Sequence, residues 1–286
     1  VEKIQENPAC KICGDKNPFF LCDTFNGHSS TRQLSHYRCS SCGLVFVGNK
    51  ISNDELGEAY STLDSTSYYE EIHSENLKKM EFSAREMLSF TDKSARVIDI
   101  GTGNGMFLKV LHDAGFENVS GHEIAGEDLS AVEDIAEKLY QDFDYQTIPS
   151  ETFDVVTLLD VVEHVVSPHY LLENAFRILK PGGFVYFHTP VVTKTDRMMH
   201  KFLKVPAFNK IPKMWQTGRT SIFHLQNYTT RSLEKLLKDC SFTNVEIKIK
   251  NELSWSVSTY VRVYLTDKIG LPRQVAPVLS PIFYPF

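Results

Sequence analysis

From Ala95 onward the chain alternates short apolar runs with segments of helical period, and this constrains the fold more than any other feature. Residues 96–100 read as a strand ending in a glycine turn, and 104–114 as a helix stopped by Gly115. A second strand is expected at 118–123, a second helix at 126–139 and a continuous apolar strand at 153–159. A helix over 168–179 is closed by Lys180-Pro181-Gly182-Gly183, and another strand follows at 184–188. Such alternation demands βαβ units and a buried parallel sheet, so the expected class is α/β, doubly wound. A helix at 232–238 and an alternating strand at 244–250 extend the pattern. Residues 258–265 supply either a second terminal strand or a helix; in the second case the last strand lies beyond Phe286 and the chain is truncated.

The first strand runs into a glycine-rich turn, Asp99-Ile100-Gly101-Thr102-Gly103-Asn104-Gly105-Met106. Glycines after a strand let the backbone pass close to a ligand at the sheet's carboxyl edge. The next helix N-terminus presents free N–H groups to an anion. A dinucleotide fingerprint needs Gly or Ala at the sixth position, where Met106 stands, and this weakens a nicotinamide reading. Glu123 ends the second strand 20 residues beyond Gly103, where a carboxylate can accept from both ribose hydroxyls.

Two C-x-x-C pairs precede this region, Cys10/Cys13 and Cys39/Cys42, each followed by glycine. The start of the chain shows no apolar leader, so the pairs read as metal ligands rather than disulfides. Four thiolates on two knuckles form a closed tetrahedral zinc site, structural rather than catalytic. About 50 residues build little core alone, and a metal replaces it. His28 and His36 are less favoured substitutes; Cys22 and Cys240 read as ordinary buried thiols.

These signals divide the chain into a zinc-binding ribbon (1–50), a helical cap over the active site (51–94), a core (95–265) and an apolar tail (266–286). No apolar run approaches ~18 residues, so no membrane-spanning helix is expected, and the chain reads as cytoplasmic. The net charge of −6 argues against a dedicated nucleic-acid partner. Charge is uneven, however. Within the core, 191–224 interrupts the pattern with seven basic residues (Lys194, Arg197, Lys201, Lys204, Lys210, Lys213, Arg219) against Asp196 alone. The same stretch carries Met198, Met199, Phe202, Leu203, Phe208 and Trp215. A basic, apolar lid fits an anionic acceptor, or peripheral contact with an anionic membrane.

Residues 97–108, Glu123, 153–164 and the 179–183 turn resemble the class I S-adenosylmethionine-dependent methyltransferases, with their Rossmann-like sheet. Within these, the chain is similar to the small-molecule branch that includes ubiquinone-pathway O-methyltransferases. The cysteine module resembles the zinc ribbon of bacterial deoxysugar C-methyltransferases. The resemblance implies that Asp99, Gly101, Thr102, Gly103 and Gly105 surround the methionine end of S-adenosylmethionine. Glu123 then holds the ribose, Asp142 accepts from the adenine amine, and Leu159 and Asp160 lie beside the cofactor. Tyr68 or Tyr69, with Tyr69 favoured, covers the cofactor's carboxylate.

Methyl transfer also needs a group that takes the acceptor's proton. Glu163 and His164 follow the fourth strand at the carboxyl edge, and histidine suits proton transfer near neutral pH. His224, after the lid, is a second candidate facing the acceptor. The expected enzyme therefore methylates a small molecule or glycan (a nucleotide sugar, phosphorylated glycan or lipid headgroup), on oxygen, with a histidine base. Sugar C-methylation, an inactive zinc-ribbon binding module and a nicotinamide oxidoreductase are the alternatives.

Overall fold

In a computed structural model, the described residues are 8–25, 33–61, 65–124, 128–142, 145–203, 205, 209–219 and 224–249, with side chains left out at 25 and 58–75. Two sheets organise them. The larger contains β4 (Arg96–Ile100), β5 (Asn118–Glu123), β6 (Lys138–Gln141), β7 (Phe153–Leu159) and β8 (Leu179–His188). Their order is β6-β5-β4-β7-β8, all parallel. Between them run α3 (Met106–Asp113) and α4 (Pro168–Ile178). β4 and β7 are the inner strands, and Val97, Ile98, Val155, Val156 and Leu158 are fully buried. Continuous apolar runs were needed there because both faces of a parallel sheet are covered.

The order reverses at β4: β5 lies on one side and β7 on the other. The carboxyl ends of these strands therefore open a crevice, the usual ligand position in such sheets. Local chemistry sets the element ends. Ser167 caps α4, its side chain accepting from the Tyr170 N–H, and Pro168 takes the first turn, where a missing N–H costs nothing. Gly115 stops α3 with φ +94°.

Before the core, the chain forms α1 (Asn53–Ser61) and α2 (Ser65–Met87). In α2, Ala84 and Met87 are buried in one apolar cluster with Val97, Phe107 and Leu111, and Leu77, Met80 and Leu88 pack on it. The basic stretch expected as a lid forms two helices among its described residues, α5 (Lys194–Phe202) and α6 (Lys210–Arg219). Asp196, its single acid, is buried at the hub. It closes a capping box with Thr193, accepts from Trp215 Nε1 at 2.7 Å and pairs with Arg219 Nε at 3.1 Å.

The smaller sheet joins the cysteine ribbon to the core. β1 (Phe19–Phe25), β2 (Gln33–Arg38) and β3 (Val45–Val47) form an antiparallel meander, and β9 (Gln226–Asn227) completes it beside β3. The helix α7 (Thr230–Asp239) then begins at Thr229. Leu44, Phe46 and Tyr37 of the ribbon share one hydrophobic cluster with Ile98, Leu158, Tyr228 and Leu236 of the core.

Two expectations fail. No helix covers the described part of 126–139: a short 3₁₀ turn at Ser130–Val132 is followed by β6. The apolar spacing was real, since Leu129 and Val132 are buried. Pairing of Lys138–Gln141 with Ser120–Glu123 draws the end of that stretch into the sheet, where tertiary pairing outweighs a weak helix preference. Residues 244–249 form no strand either. Val245 and Ile247 pack on the core, while Asn244 sits at φ +54° and breaks extended geometry. Residues 258–265, read as a strand or a helix, and the tail at 266–286 lie outside the described residues.

Phe46 is 1% exposed at the junction of ribbon and core. Phe46→Ala should lower unfolding free energy by roughly 3–5 kcal/mol, the usual cost of emptying such a site. Urea denaturation should show this loss in a single transition, because ribbon and core share one cluster.

Candidate active site and cysteine centre

The crevice is built by the glycine turn after β4. Gly101 and Thr102 donate to the His122 carbonyl at 2.8 and 3.1 Å, which ties the turn to β5. Gly101, Gly103 and Gly105 have φ of +74°, +55° and +81°, a region that penalises other residues. A Cβ on Gly101 would lie 2.6 Å from Val161 Cγ2. Glycine here thus serves both backbone sign and close approach.

Carboxylates ring this turn. Asp99 is 2% exposed and accepts from Thr157 Oγ1 at 2.6 Å; burial pushes its carboxyl up to about 7. Glu123 accepts from the Gly103 N–H at 2.7 Å and from the Ile124 N–H at 2.8 Å. The turn and the acid at the end of β5 are therefore in direct contact. Asp142, just past β6, lies 3.4 Å from His122 Nε2 and accepts from Thr147 Oγ1. The His122 ring meets Tyr145, centroids 4.9 Å apart, and burial lowers its proton affinity. His122, Tyr145 and Thr157 were not singled out in the sequence. The one available signal was His122, a titratable residue inside a strand that must be buried.

Leu159 ends β7 half-buried, and Asp160 follows at φ +55°. A left-handed aspartate costs of order 1 kcal/mol or more and marks a turn that the surroundings force. That turn delivers Glu163 and His164 to the carboxyl edge. Glu163 is fully buried, accepts from Thr189 Oγ1 at 3.0 Å, and has its proton affinity raised by burial and by Asp160. His164 Nε2 stands 4.0 Å from Glu163 Oε1. The His224 ring meets His164 edge-on at 4.6 Å, with Nδ1 3.2 Å from the Arg219 carbonyl. Burial lowers the proton affinity of His224. The polar atoms of Glu163, His164 and His224 all lie within 4.8 Å of one another. The adjacent Glu163 and His164 and the distant His224 thus converge. Tyr69 belongs to α2, but its side chain lies outside the described residues, as does that of Tyr68.

The four cysteines converge as well. Cys10 and Cys42 sulfurs are 3.6 Å apart, Cys13 and Cys39 sulfurs 3.4 Å, and all four lie within 4.8 Å of one another. Gly14 and Gly43, at φ +70° and +79°, donate to the carbonyls of Cys10 and Cys39 and close the two knuckles. Asp15 clamps one knuckle to the other: Oδ2 accepts from Ser40 Oγ, Ser41 Oγ and the Ser41 N–H. Those donors hold its carboxyl below the usual carboxylate range. Nothing in the sequence marked Asp15 beyond its place after a C-x-x-C-G turn.

A family model described as a methyltransferase domain matches residues 71–247. The ubiquinone biosynthesis O-methyltransferase of Idiomarina loihiensis is 33% identical over 102 residues, 33% of this chain and 42% of that protein. The enzyme of the same name from Hydrogenovibrio crunogenus is 27% identical over 158 residues, 52% of this chain and 64% of that one. The chain thus spans between about two-fifths and two-thirds of these relatives' length. A solved S-adenosylmethionine-dependent methyltransferase from Archaeoglobus fulgidus is 17% identical, covers 77% of this chain and 91% of its own, and superposes with a TM-score of 0.46. The family match alone takes in more than half of the chain, including the glycine turn, Glu123 and the Glu163-His164 pair, and the protein therefore belongs to the class I S-adenosylmethionine-dependent methyltransferases.

Proposed function

We propose that the protein transfers a methyl group from S-adenosylmethionine to an oxygen of a small molecule or glycan that carries negative charge. The observation that carries this reading is the convergence of Glu163, His164 and His224 at the carboxyl edge of β7, beside the glycine turn. The cofactor supplies an electrophilic methyl on a sulfonium, and the protein must align the acceptor and take its proton. His164 is the base: it is half-buried and near neutral pH suits it. Glu163 orients the acceptor hydroxyl or His164, and His224 completes the acceptor side.

The cofactor side rests on residues that fit its chemistry. The glycine turn leaves the backbone bare for close approach, and Glu123 offers carboxylate oxygens to the ribose. Asp142 reaches the adenine amine and Asp99 faces the methionine end, with Leu159, Asp160 and Tyr69 completing the surround. The lid favours an anionic acceptor: Lys194, Arg197, Lys201, Lys210 and Lys213 are exposed beside Met198, Phe202 and Ile211. The same surface suits peripheral contact with an anionic membrane; among the described residues no helix is long and apolar enough to cross one. Sugar C-methylation is the second reading, favoured by the cysteine ribbon.

We also propose that the cysteine centre holds a structural zinc. Tetrahedral Zn²⁺ with Zn–S near 2.3 Å separates its sulfurs by about 3.8 Å. The 3.4 and 3.6 Å pairs need only slight expansion. All four positions are filled by sulfur, so no open coordination site is left for catalysis. Cys10 is already held low, at about 5, by the Cys42 thiol, which is raised in turn. A cytoplasmic setting would keep such thiols reduced and ready for metal.

Calorimetric titration should show S-adenosylmethionine and S-adenosylhomocysteine binding in the micromolar range and no binding of NADH; the reverse pattern would overturn the cofactor reading. In the same assay Glu123→Ala should weaken binding by ~1–3 kcal/mol, the usual cost of a lost charged hydrogen-bond partner. Affinity should also fall as pH drops from 8 to 6, by up to roughly tenfold per unit. Asp99 gains its proton near 7 in the free protein, and a cationic ligand favours the carboxylate; Asp99→Asn should flatten the slope. Removal of metal with a strong chelator should release about one zinc per chain and lower Tm by more than about 5 °C, as expected for a metal that supplies folding energy. Unchanged Tm after complete release would leave the centre without a structural role.

A further inference from the structure

Residues 225–229 are held from two sides. On the core side, the N–H groups of Leu225 and Gln226 donate to the Glu163 carbonyl at 2.8 and 3.2 Å. Gln226 Nε2 donates to the Val165 carbonyl at 2.8 Å, and Tyr228 Oη to the Val162 carbonyl at 3.0 Å. This short segment is thus fastened along the loop that carries Glu163 and His164. On the ribbon side, β3 pairs with β9, Val45 opposite Asn227 and Phe46 opposite Gln226, and the Val47 N–H donates to the Leu225 carbonyl at 2.9 Å.

The ribbon contact continues into the second cysteine knuckle. Thr229 Oγ1 donates to the Cys42 carbonyl at 2.6 Å, and Thr229 is 8% exposed. Gly43 approaches so closely that a Cβ there would lie 3.1 Å from Thr229 Cγ2. The residue that offers this carbonyl is one whose sulfur lies in the four-cysteine centre. His224 enters at the other end of the segment, one residue before Leu225, with its ring against His164.

We propose that the cysteine ribbon is a positioning device for the acceptor-side histidines: the closed second knuckle fixes Thr229 and β9, and through them the placement of His224 against His164. A ribbon that served only as a separate stable module would need no strand and no side-chain contact on this segment. Here it pairs with Gln226 and Asn227, while Tyr228 bridges to Val191 and its carbonyl accepts from the Val192 N–H at 2.7 Å. Thr229 is therefore a positioning residue. It acts through the strand and touches none of the groups assigned to the acceptor or the cofactor. The inference rests on the preceding reading for its catalytic consequence, and its test does not require a known acceptor.

The test is a histidine titration by NMR on the full chain, loaded with one equivalent of zinc. The titration of His224 reports its surroundings: burial, the Arg219 carbonyl and guanidinium, and Asp160. Thr229→Val removes the donor to Cys42, and Thr229→Ser restores it. Because Thr229 also caps α7 by accepting from the Ser232 N–H, Gly43→Ala is the second variant. It disturbs the same contact from the ribbon, through a Cβ 3.1 Å from Thr229 Cγ2 and the strain of a side chain at φ +79°, and keeps the Thr229 hydroxyl that caps α7. Zinc content should stay at one per chain. The His224 midpoint should rise by roughly half a pH unit or more in Thr229→Val and Gly43→Ala, as a released ring loses the desolvation that lowers it. Thr229→Ser should return it. An unchanged midpoint in zinc-loaded Gly43→Ala would overturn the proposal, whether or not Thr229→Val folds. Calorimetry with S-adenosylhomocysteine on the same samples separates the two readings. No binding by the wild-type chain would sink the methyltransferase proposal and leave the imidazole result standing.

Discussion

The antiparallel pairing of Val45–Val47 with Gln226–Asn227 is the contact on which the rest of the structure depends. It spans only two residue pairs, yet it joins a cysteine ribbon to a parallel α/β core. Backbone groups taken from water must find partners, and an unpaired buried N–H or carbonyl costs on the order of 1–3 kcal/mol. The segment after the lid has no long strand neighbour of its own in the core. It meets this requirement by borrowing β3 on one side and the Glu163 carbonyl on the other. Phe46 and Tyr228 then bury themselves in one cluster across the seam. The ribbon's few apolar side chains would make a poor core alone. Joined to Ile98, Leu158 and Leu236 they extend a large one.

The same logic of burial shapes the crevice. Asp99 and Glu163 are both withdrawn from water at the carboxyl edge, and burial raises the proton affinity of each. Desolvation disfavours a charged carboxylate unless a cation or donor compensates. The Thr157 hydroxyl donates to Asp99, and the Thr189 hydroxyl to Glu163. A cation at this edge would favour the charged form of both carboxylates. Glu163 gathers there with the imidazoles of His164 and His224, whose ring centroids lie 4.6 Å apart. The basic segment 191–224 carries the opposite sign, and its own acid, Asp196, is consumed in holding Trp215, Arg219 and Thr193 together.

Much of this was legible before any coordinates. The runs at 96–100, 118–123 and 153–159 became β4, β5 and β7, each bounded by a glycine or an acid at its carboxyl end and laid side by side as parallel strands. The spacing of Gly103 and Glu123 became a 2.7 Å hydrogen bond, because neighbouring parallel strands bring their carboxyl ends level. The four cysteines converged because each C-x-x-C-G turn can fold only so tightly. The failures have an equally local cause. Residues 126–139 carry a helical apolar period, but period alone cannot report that 138–141 finds a strand to pair with. Asp15, His122 and Thr157 were missed because a short polar side chain shows its partner only when the chain has folded.

The sequence by itself determined the parallel sheet, the glycine turn with its acidic companions and the four-thiol set. Each of these follows from local rules: side-chain period, the backbone freedom of glycine, and the short loop between paired ligands. Tertiary structure alone decided that β9 would complete the ribbon sheet, that Thr229 would seat on Cys42, and that His224 would meet His164 across some sixty residues of chain. Those contacts join segments whose own patterns are short or mixed. Their partners are chosen by what the rest of the fold leaves unpaired, and no local pattern carries that information.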